Sequence, residues 1–257
     1  MSKKVLVIPA RYASTRLPGK PLRELARKPM IQHVFERAVD AAKSVGFDSI
    51  VIATDDARIQ SCCEEFGAKV CMTSAKHETG SDRLAEVVNT YGWDDDTVVV
   101  NLQGDEPLTP ISSLQQVTTN ILNNPDASIA TLATPLESDN EYNDPNVVQV
   151  VINKKGMALY FSRAPIPFQR DSQNDDAVNI SDFALRHIGI YAYRAKYLKQ
   201  FANMEVCPLE QLEKLEQLRA MWHGAKIHVA VADEVPGHGV DTEADLKAVE
   251  KILSSRN

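Results

Sequence analysis

The chain has 257 residues, of which 44% are hydrophobic and 25% are charged, a balance typical of a folded globular protein. No apolar run approaches the roughly 20 residues that a membrane-spanning helix needs, and MSKKVLVIPAR has too short an apolar stretch for a secretory signal. The net charge of −7 disfavours a protein that coats nucleic acid. The cysteines, Cys62, Cys63, Cys71 and Cys207, contain no C-x-x-C pair, so we expect a reduced, cytoplasmic chain.

Positive charge is concentrated in the first residues. Residues 1–28 contain eight Lys or Arg and one acid, Glu24, which gives a local charge of about +7. The rest of the chain has 20 bases and 34 acids and carries about −14. A reversal on this scale favours a small anionic ligand bound near the N-terminal segment. A basic segment with no ligand is the alternative.

In chain order, KVLVIPA predicts a buried strand, and KPMIQHVFERAVDAAKSVG predicts a helix bounded by Pro29 and Gly46. SIVIATDD predicts the next strand, followed by a helix through Glu65 and a strand near AKVCM. GSDRLAEVVNTYG predicts another helix, and DTVVVNLQGDEP predicts a strand and a turn. This alternation indicates an α/β protein, with a mainly parallel sheet and helices on both faces. Ligands of such sheets bind outside the carboxyl ends of the strands.

The pattern changes after Ala127 and becomes rich in strands, namely SIATLA, NVVQVVI, MALYFSR and RHIGIYAYR. Two helices are then predicted, PLEQLEKLEQLRAMWHG and, after GHGVD, TEADLKAVEKILSS. No repeat or low-complexity linker divides the chain. We therefore predict a single domain over residues 1–257, with a smaller mixed-strand lobe inserted around residues 135–200.

The loop IPARYASTRLPGKPL follows the first predicted strand and is purely cationic. It presents Arg11, Arg16 and Lys20 on a segment stiffened by prolines. Arginine holds phosphate through two parallel hydrogen bonds, and lysine supplies a point charge. The loop is not a Walker loop, because Ser14 stands where that pattern has glycine and Pro21 where it has Ser or Thr. We expect a phosphate-binding loop of another kind. Solvated surface charges are the alternative.

Two aspartates are candidate metal ligands. Asp105 follows a hydrophobic strand in NLQGDEP, and Asp241 lies in GVDTEADL. Mg²⁺ prefers one or two carboxylates together with substrate phosphate oxygens and water. The alternatives are ordinary: an aspartate in a turn often caps it, and Asp241 or Thr242 could cap the last helix, with Asp245 near the capping-box position.

A third group lies in the strand-rich half. His187 and Tyr191 are four residues apart in a predicted strand, so their side chains point to one face. Arg163 in FSR suits a substrate carboxylate. A core histidine and a solvated surface arginine are the alternatives for His187 and Arg163.

The segment LEQLEKLEQLR predicts an amphipathic helix. The leucines that form its predicted buried stripe are Leu209, Leu212, Leu215 and Leu218. The glutamates expected on its solvated side are Glu210, Glu213 and Glu216.

Taken together, these motifs resemble one family, the 3-deoxy-manno-octulosonate (Kdo) cytidylyltransferases, also called CMP-Kdo synthetases. The ordered blocks that carry the resemblance are IPARYASTRLPGKPL, KPMIQHV, VIATDD, CMTS, VNLQGDEP, LYFSRAPIP, RHIGIYAYR, LEKLEQLR, KIHVAVA and GVDTEADL. They cover nearly the whole chain. The resemblance implies a Rossmann-like, nucleotide-diphosphosugar-transferase fold and a cytoplasmic homodimer whose lobe near residues 135–200 binds substrate or its partner.

The resemblance also implies an activity. Mg²⁺-dependent transfer of CMP from CTP to the anomeric hydroxyl of Kdo would give CMP-Kdo and pyrophosphate for lipopolysaccharide biosynthesis. The implied nucleotide-binding residues are Arg11, Arg16, Lys20, Ser81, Arg83 and Gln103. The implied metal ligands are Asp105 and Asp241, and the implied catalytic residues are Arg11, Lys20, Asp105 and Asp241. The implied Kdo-binding residues are Arg163, His187, Tyr191, Glu216 and Gln217, so the resemblance moves Glu216 from a solvated helix face into the site.

Two positions depart from the usual family pattern. Arg27 replaces a common glycine before KPM, and TGSDRL replaces the common SGTERL, which bears on base recognition near Ser81 and Arg83. A cytidylyltransferase for 8-amino-Kdo, or for another sugar acid such as a sialic acid, is the alternative within enzymes. Outside enzymes, the alternative is a nucleotide-binding protein that kept the fold without catalysis.

Overall fold

The computed structural model describes residues 2–13, 17–77, 79–170, 180, 183–237 and 239–255. The strands are β1 (Lys4–Ala10), β2 (Glu24–Leu25), β3 (Lys28–Pro29), β4 (Ser49–Thr54), β5 (Lys69–Met72), β6 (Val98–Asn101), β7 (Ile129–Pro135), β8 (Gln149–Ile152), β9 (Ala158–Ser162), β10 (Leu185–Arg194) and β11 (Ile227–Val231). The helices are α1 (Met30–Val45), α2 (Ala57–Glu65), α3 (Gly80–Thr90), α4 (Ile111–Asn123), α5 (Asp139–Tyr142), α6 (Ala195–Phe201), α7 (Pro208–Glu213), α8 (Glu216–Trp222) and α9 (Glu243–Ser254).

The central sheet has the strand order β11-β7-β10-β6-β1-β4-β5 within the described residues. The pairs β1–β4, β1–β6, β4–β5 and β7–β11 are parallel. Only β10 on this path is antiparallel to its neighbours, β6 and β7. The predicted fold class, a mainly parallel sheet flanked by helices, is confirmed.

The apolar strands are covered on both faces. Along β1, Val5 and Val7 pack on one side with α3, α6 and α8, whereas Leu6 and Ile8 pack on the other with α1, α2 and α4. All four side chains are fully buried. A strand buried on both faces must be apolar at every position, which explains the continuous run KVLVI.

Strands β8 and β9 extend the sheet beside the N-terminal half of β10. Val150 of β8 and Phe161 of β9 are fully buried in the same apolar cluster as Val5. The predicted lobe near residues 135–200 therefore shares a core with the parallel sheet in its described part. Its role in dimerisation stays a prediction.

The prediction of a single helix over residues 208–224 is wrong, because this segment forms two short helices, α7 and α8. Lys214 adopts a left-handed conformation with φ 55° and ends α7. The break turns Leu212 outward, with 80% of its side chain exposed. Glu210, expected in solvent, is buried and forms a bidentate salt bridge with Arg219 at 2.6 and 2.7 Å.

Among the described helices, none combines the length and the apolar character that crossing a lipid bilayer would require.

Candidate active site

A cavity of about 560 Å³ opens at the carboxyl ends of β1 and β6. The lining residues that the family resemblance assigns to the nucleotide are Arg11, Lys20, Ser81, Arg83 and Gln103. The other predicted site residues that line it are Asp105, Tyr191, Glu216, Gln217 and Asp241. Segments from both halves of the sequence thus meet at one edge of the sheet, where ligands of α/β proteins bind.

The cationic loop is shaped by local contacts. Gly19 has φ 67°, and a side chain there would also approach the Tyr12 ring to 3.1 Å. The Arg58 guanidinium also lies 3.3 Å from the Tyr12 ring centroid. After Gly19 a 3-10 turn over Lys20–Leu22 directs Lys20 into the cavity. Arg16 lies outside the described residues, so its role stays a prediction.

Lys20 joins the two predicted metal ligands. Its Nζ donates to Asp105 Oδ2 at 2.6 Å and to Asp241 Oδ1 at 3.0 Å. Burial alone would lower the pKa of Lys20, but the charges and hydrogen bonds of the two aspartates outweigh it and raise the pKa. Lys20 therefore stays protonated.

Two local features hold the aspartates together. A side chain at Gly104 would meet the carbonyl oxygen of Pro9 at 2.7 Å, so glycine allows the turn that carries Asp105 to pack on β1. The Val240 amide donates to the Asp105 carbonyl at 2.9 Å, which fixes the segment that carries Asp241. Asp241 or Thr242 was the candidate cap of the last helix. The structure shows that Thr242 caps α9, in a capping box with Asp245.

The donor set fits Mg²⁺. The carboxylates of Asp105 and Asp241 both contact the Lys20 ammonium. The ammonium neutralises part of the negative charge that a bound metal ion would otherwise neutralise. The described residues contain no cluster of three or more His, Cys, Asp or Glu suited to a metal. A two-carboxylate site suits Mg²⁺, which usually keeps water and takes phosphate oxygens as its other ligands.

Arg83, in the wall of the cavity, is held by two neighbouring side chains. Its guanidinium donates to Asp55 Oδ2 at 3.0 Å and to the Thr73 hydroxyl. Only 1% of Arg83 is exposed. Asp55 belongs to the TDD motif at the end of β4, and no role was predicted for it from the sequence. A charged residue directly after an apolar strand was the available signal.

Glu216 and Ser81 contact each other, so the residues predicted for sugar acid and nucleotide are physically linked. The Glu216 carboxylate accepts hydrogen bonds from Ser81 and Thr79 at the start of α3. Burial raises the pKa of Glu216, and these hydrogen bonds oppose that rise. Ser81 also hydrogen-bonds the Tyr193 hydroxyl.

Two predicted sugar-acid ligands are not among the described residues that line the cavity. Arg163 donates from Nε to the Glu213 carbonyl at 2.8 Å and from Nη1 to the Pro145 carbonyl at 3.0 Å. His187 lies 5.3 Å from the Tyr191 ring, centroid to centroid, and its Nε2 is 3.1 Å from Thr131 Oγ1. Burial lowers the pKa of His187 to about 3, so its ring is neutral.

Sequence reasoning missed several polar and aromatic residues of the cavity wall, namely Asn101, Tyr193, Tyr197 and Phe201. Tyr193 had a usable signal, because it alternates with Tyr191 along a predicted strand and therefore shares its face. Asn101 had a weaker one, as the only polar residue of the apolar strand VVVN.

The chain matches the family model described as Cytidylyltransferase over residues 5–227. It is 55% identical to the 3-deoxy-manno-octulosonate cytidylyltransferase of Thioalkalivibrio sulfidiphilus over 98% of this chain and 99% of that one. It is 52% identical to the protein of the same name from Halorhodospira halophila over 97% and 96%. A solved structure described as CMP:2-keto-3-deoxy-manno-octonic acid synthetase complexed with CTP superimposes with a TM-score of 0.90, at 41% identity and full coverage of both chains. The chain belongs to the cytidylyltransferase family and, within it, to the 3-deoxy-manno-octulosonate cytidylyltransferases.

Proposed function

We propose that the cavity transfers CMP from CTP to the anomeric hydroxyl of Kdo, giving CMP-Kdo and pyrophosphate. The observation that carries this proposal is the contact of Lys20 with both Asp105 and Asp241. It brings a cation suited to phosphate and two carboxylates suited to Mg²⁺ to one point of a cavity in a member of this family. A protein that only bound a nucleotide would have little need for the second carboxylate.

The triphosphate end of CTP lies against the cationic loop in this proposal. Arg11 and Lys20 bind the β- and γ-phosphates and offset the charge that grows on the departing pyrophosphate. Such a reaction depends mainly on positioning and on charge stabilisation rather than on a covalent enzyme intermediate. Arg16 is proposed for the same task.

Asp105 and Asp241 are proposed to hold Mg²⁺, which when bound offsets phosphate charge and lowers the pKa of the attacking hydroxyl. In the reaction the hydroxyl of the sugar acid gives its proton to solvent and its oxygen bonds to the α-phosphorus, while the bond from that phosphorus to the oxygen that bridges the α- and β-phosphates breaks and pyrophosphate leaves. To contact phosphate, Lys20 must break its ion pair with at least one of the two aspartates. That ion pair is then replaced by a contact between Lys20 and phosphate and a contact between the aspartate and Mg²⁺.

The sugar acid is proposed to lie against Tyr191, Glu216 and Gln217, which line the same cavity. Carboxylate and amide groups suit its hydroxyls. Ser81 connects this side to the nucleotide through its hydrogen bond with Glu216. His187, whose ring is neutral, packs beside Tyr191. Arg163 is the proposed partner of the sugar-acid carboxylate, and this contact requires its guanidinium to move.

The same proposal covers the cellular setting. A cytoplasmic homodimer that supplies CMP-Kdo for lipopolysaccharide biosynthesis is the proposed setting, and the name of the relatives, 3-deoxy-manno-octulosonate cytidylyltransferase, supports its activity. The alternative acceptors are 8-amino-Kdo and another sugar acid such as a sialic acid.

A pyrophosphate-release assay tests the proposal. Purified protein with CTP, Mg²⁺ and Kdo is expected to release pyrophosphate, with ATP or GTP in place of CTP giving little. Replacing Kdo by 8-amino-Kdo or a sialic acid separates the alternatives. A higher kcat/KM for one of those acids would reject Kdo as the substrate.

A further inference from the structure

Asn101 has a buried polar atom without a protein partner. It is the last residue of β6, is 3% exposed, and lines the cavity. Its Oδ1 atom has no hydrogen-bond partner among the described residues. Buried carbonyl oxygens are nearly always paired, because leaving one unpaired carries a desolvation cost.

The amide of Asn101 is nevertheless held in place. The Asn101 side chain hydrogen-bonds the Tyr193 hydroxyl, which also bonds Ser81. Since Oδ1 is the atom without a partner, the bond to Tyr193 uses the Nδ2 hydrogens of Asn101. One end of the amide is thus held by Tyr193, and the other end, Oδ1, is a buried acceptor without a partner on a residue that lines the cavity.

From this arrangement we infer that Asn101 Oδ1 is a substrate-binding group that accepts a hydrogen bond from a hydroxyl of the sugar acid. The inference rests on the proposed function, which supplies the substrate. It adds a residue to the sugar-acid side of the cavity that the sequence motifs do not assign.

The partner of Oδ1 must be a donor. Phosphate oxygens are acceptors, so the triphosphate is excluded as the group that faces Asn101. A hydroxyl of the sugar acid, a hydroxyl of ribose or the amino group of cytosine remains.

Position favours the sugar acid. Asn101 is directly opposite Tyr191 in the pairing of β6 with β10. Through Tyr193 and Ser81 it is also linked to Glu216. Tyr191 and Glu216 are both proposed to contact the sugar acid, so the carbonyl of Asn101 belongs to the same wall.

The test is the steady-state kinetics of Asn101→Leu, which keeps the side-chain size and removes the acceptor. We expect the KM for Kdo to rise about tenfold, the effect of one lost hydrogen bond, while the KM for CTP stays within about twofold. The penalty should vanish with the monodeoxy Kdo analogue that lacks the contacted hydroxyl.

The matched control is Thr97→Val. Thr97 precedes the same strand and also has a buried unpartnered oxygen, but it does not line the cavity. We expect both KM values of this variant to equal those of the wild type. If Asn101→Leu does not fold, as judged by its melting temperature, Asn101→Ala, which also lacks an acceptor, is measured in the same way and should show the same split.

An unchanged KM for Kdo in a folded variant would overturn the inference, and so would a rise confined to CTP, which would place the ribose or the cytosine of CTP against Asn101. A wild-type protein that does not use Kdo would instead reject the proposed function, and the sugar-acid assignment with it. The wild-type and variant measurements therefore distinguish the two failures.

Discussion

The Lys20 ammonium lies 2.6 Å from the Asp105 carboxylate, although 85 positions separate the two residues in the chain. Asp241, a further 136 positions along, contacts the same nitrogen at 3.0 Å. This three-residue cluster has a net charge of −1, and it faces a cavity whose proposed ligands are a triphosphate and Mg²⁺. Each ligand needs groups that the ion pairs currently occupy, so nucleotide and metal should favour each other's binding.

Lys20→Met tests this exchange. Without the ammonium, the two aspartates repel each other and should bind Mn²⁺, used as a probe for Mg²⁺, more tightly than in the nucleotide-free wild type. Titration followed by electron paramagnetic resonance measures the affinity. Lys28→Met, which removes a surface lysine paired with Glu36, is the control and should leave Mn²⁺ affinity unchanged.

The same Lys20 variant should lose turnover by about 10²-fold or more, by analogy with the removal of one oxyanion donor. Tighter metal binding together with slower turnover would separate the two roles of Lys20, pairing with the aspartates in the absence of ligand and binding phosphate during the reaction. Unchanged Mn²⁺ affinity would contradict the idea that Lys20 and the metal ion compete for the two aspartates. An unchanged turnover rate would show that Lys20 has no role in the reaction.

Asp105→Ala should abolish turnover while the protein stays folded, because a partly exposed carboxylate contributes little to the core. Circular dichroism checks the fold and pyrophosphate release checks the rate. Asp95→Ala, which removes an exposed aspartate paired with Lys199, is the control. Near-normal turnover of the Asp105 variant at saturating Mg²⁺ would refute the metal assignment.

The buried pair of Glu210 and Arg219 should stabilise the α7–α8 segment that carries Gln217. Arg219→Met leaves the Glu210 carboxylate buried without its partner, so the free energy of unfolding should fall by about 3–5 kcal/mol. The double variant Glu210→Leu, Arg219→Met removes both charges and should recover much of that loss. Urea denaturation measures all three proteins, and a loss below 1 kcal/mol for the single variant would argue against the pair.

Acid should destabilise the protein partly through His187. Burial lowers the pKa of His187 to about 3 in the folded protein, whereas an unfolded histidine titrates near pH 6.5. As the pH falls below about 6.5, the unfolded chain binds a proton that the folded chain does not. The free energy of unfolding therefore decreases toward pH 3, by at most about 1.4 kcal/mol per pH unit from this residue.

His187→Gln should flatten that decrease between pH 6.5 and 4, as followed by denaturant unfolding at each pH. Some slope should remain, because burial also lowers the pKa of His228. Substituting the exposed His223 by Gln is the control. If His187→Gln has the same slope as the wild type, His187 is not held neutral in the fold.

Residues close together in sequence were the ones that sequence patterns predicted well. The helix from Met30 to Val45 was predicted between Pro29 and Gly46, and in the structure Gly46 does end it, in a left-handed conformation. The cationic loop and NLQGDEP were likewise expected at strand ends, where parallel strands present their ligands. These features depend on local rules of chain geometry.

The errors came from contacts between distant segments. Nothing local marks Lys214 as the end of a helix, because a left-handed residue there is usually glycine or asparagine. That break places Leu212 in solvent and Glu210 in the core. The contacts of Arg83 with Asp55, and the unpartnered oxygen of Asn101, likewise depend on packing that a single sequence does not display.

Product analysis tests the central claim most directly. Wild-type protein is incubated with CTP, Kdo and Mg²⁺, and CMP-Kdo is measured by mass spectrometry beside pyrophosphate. The account predicts one CMP-Kdo for each pyrophosphate and no CMP-sugar from Asp105→Ala. Pyrophosphate released without CMP-Kdo, or equal product from the variant, would contradict it.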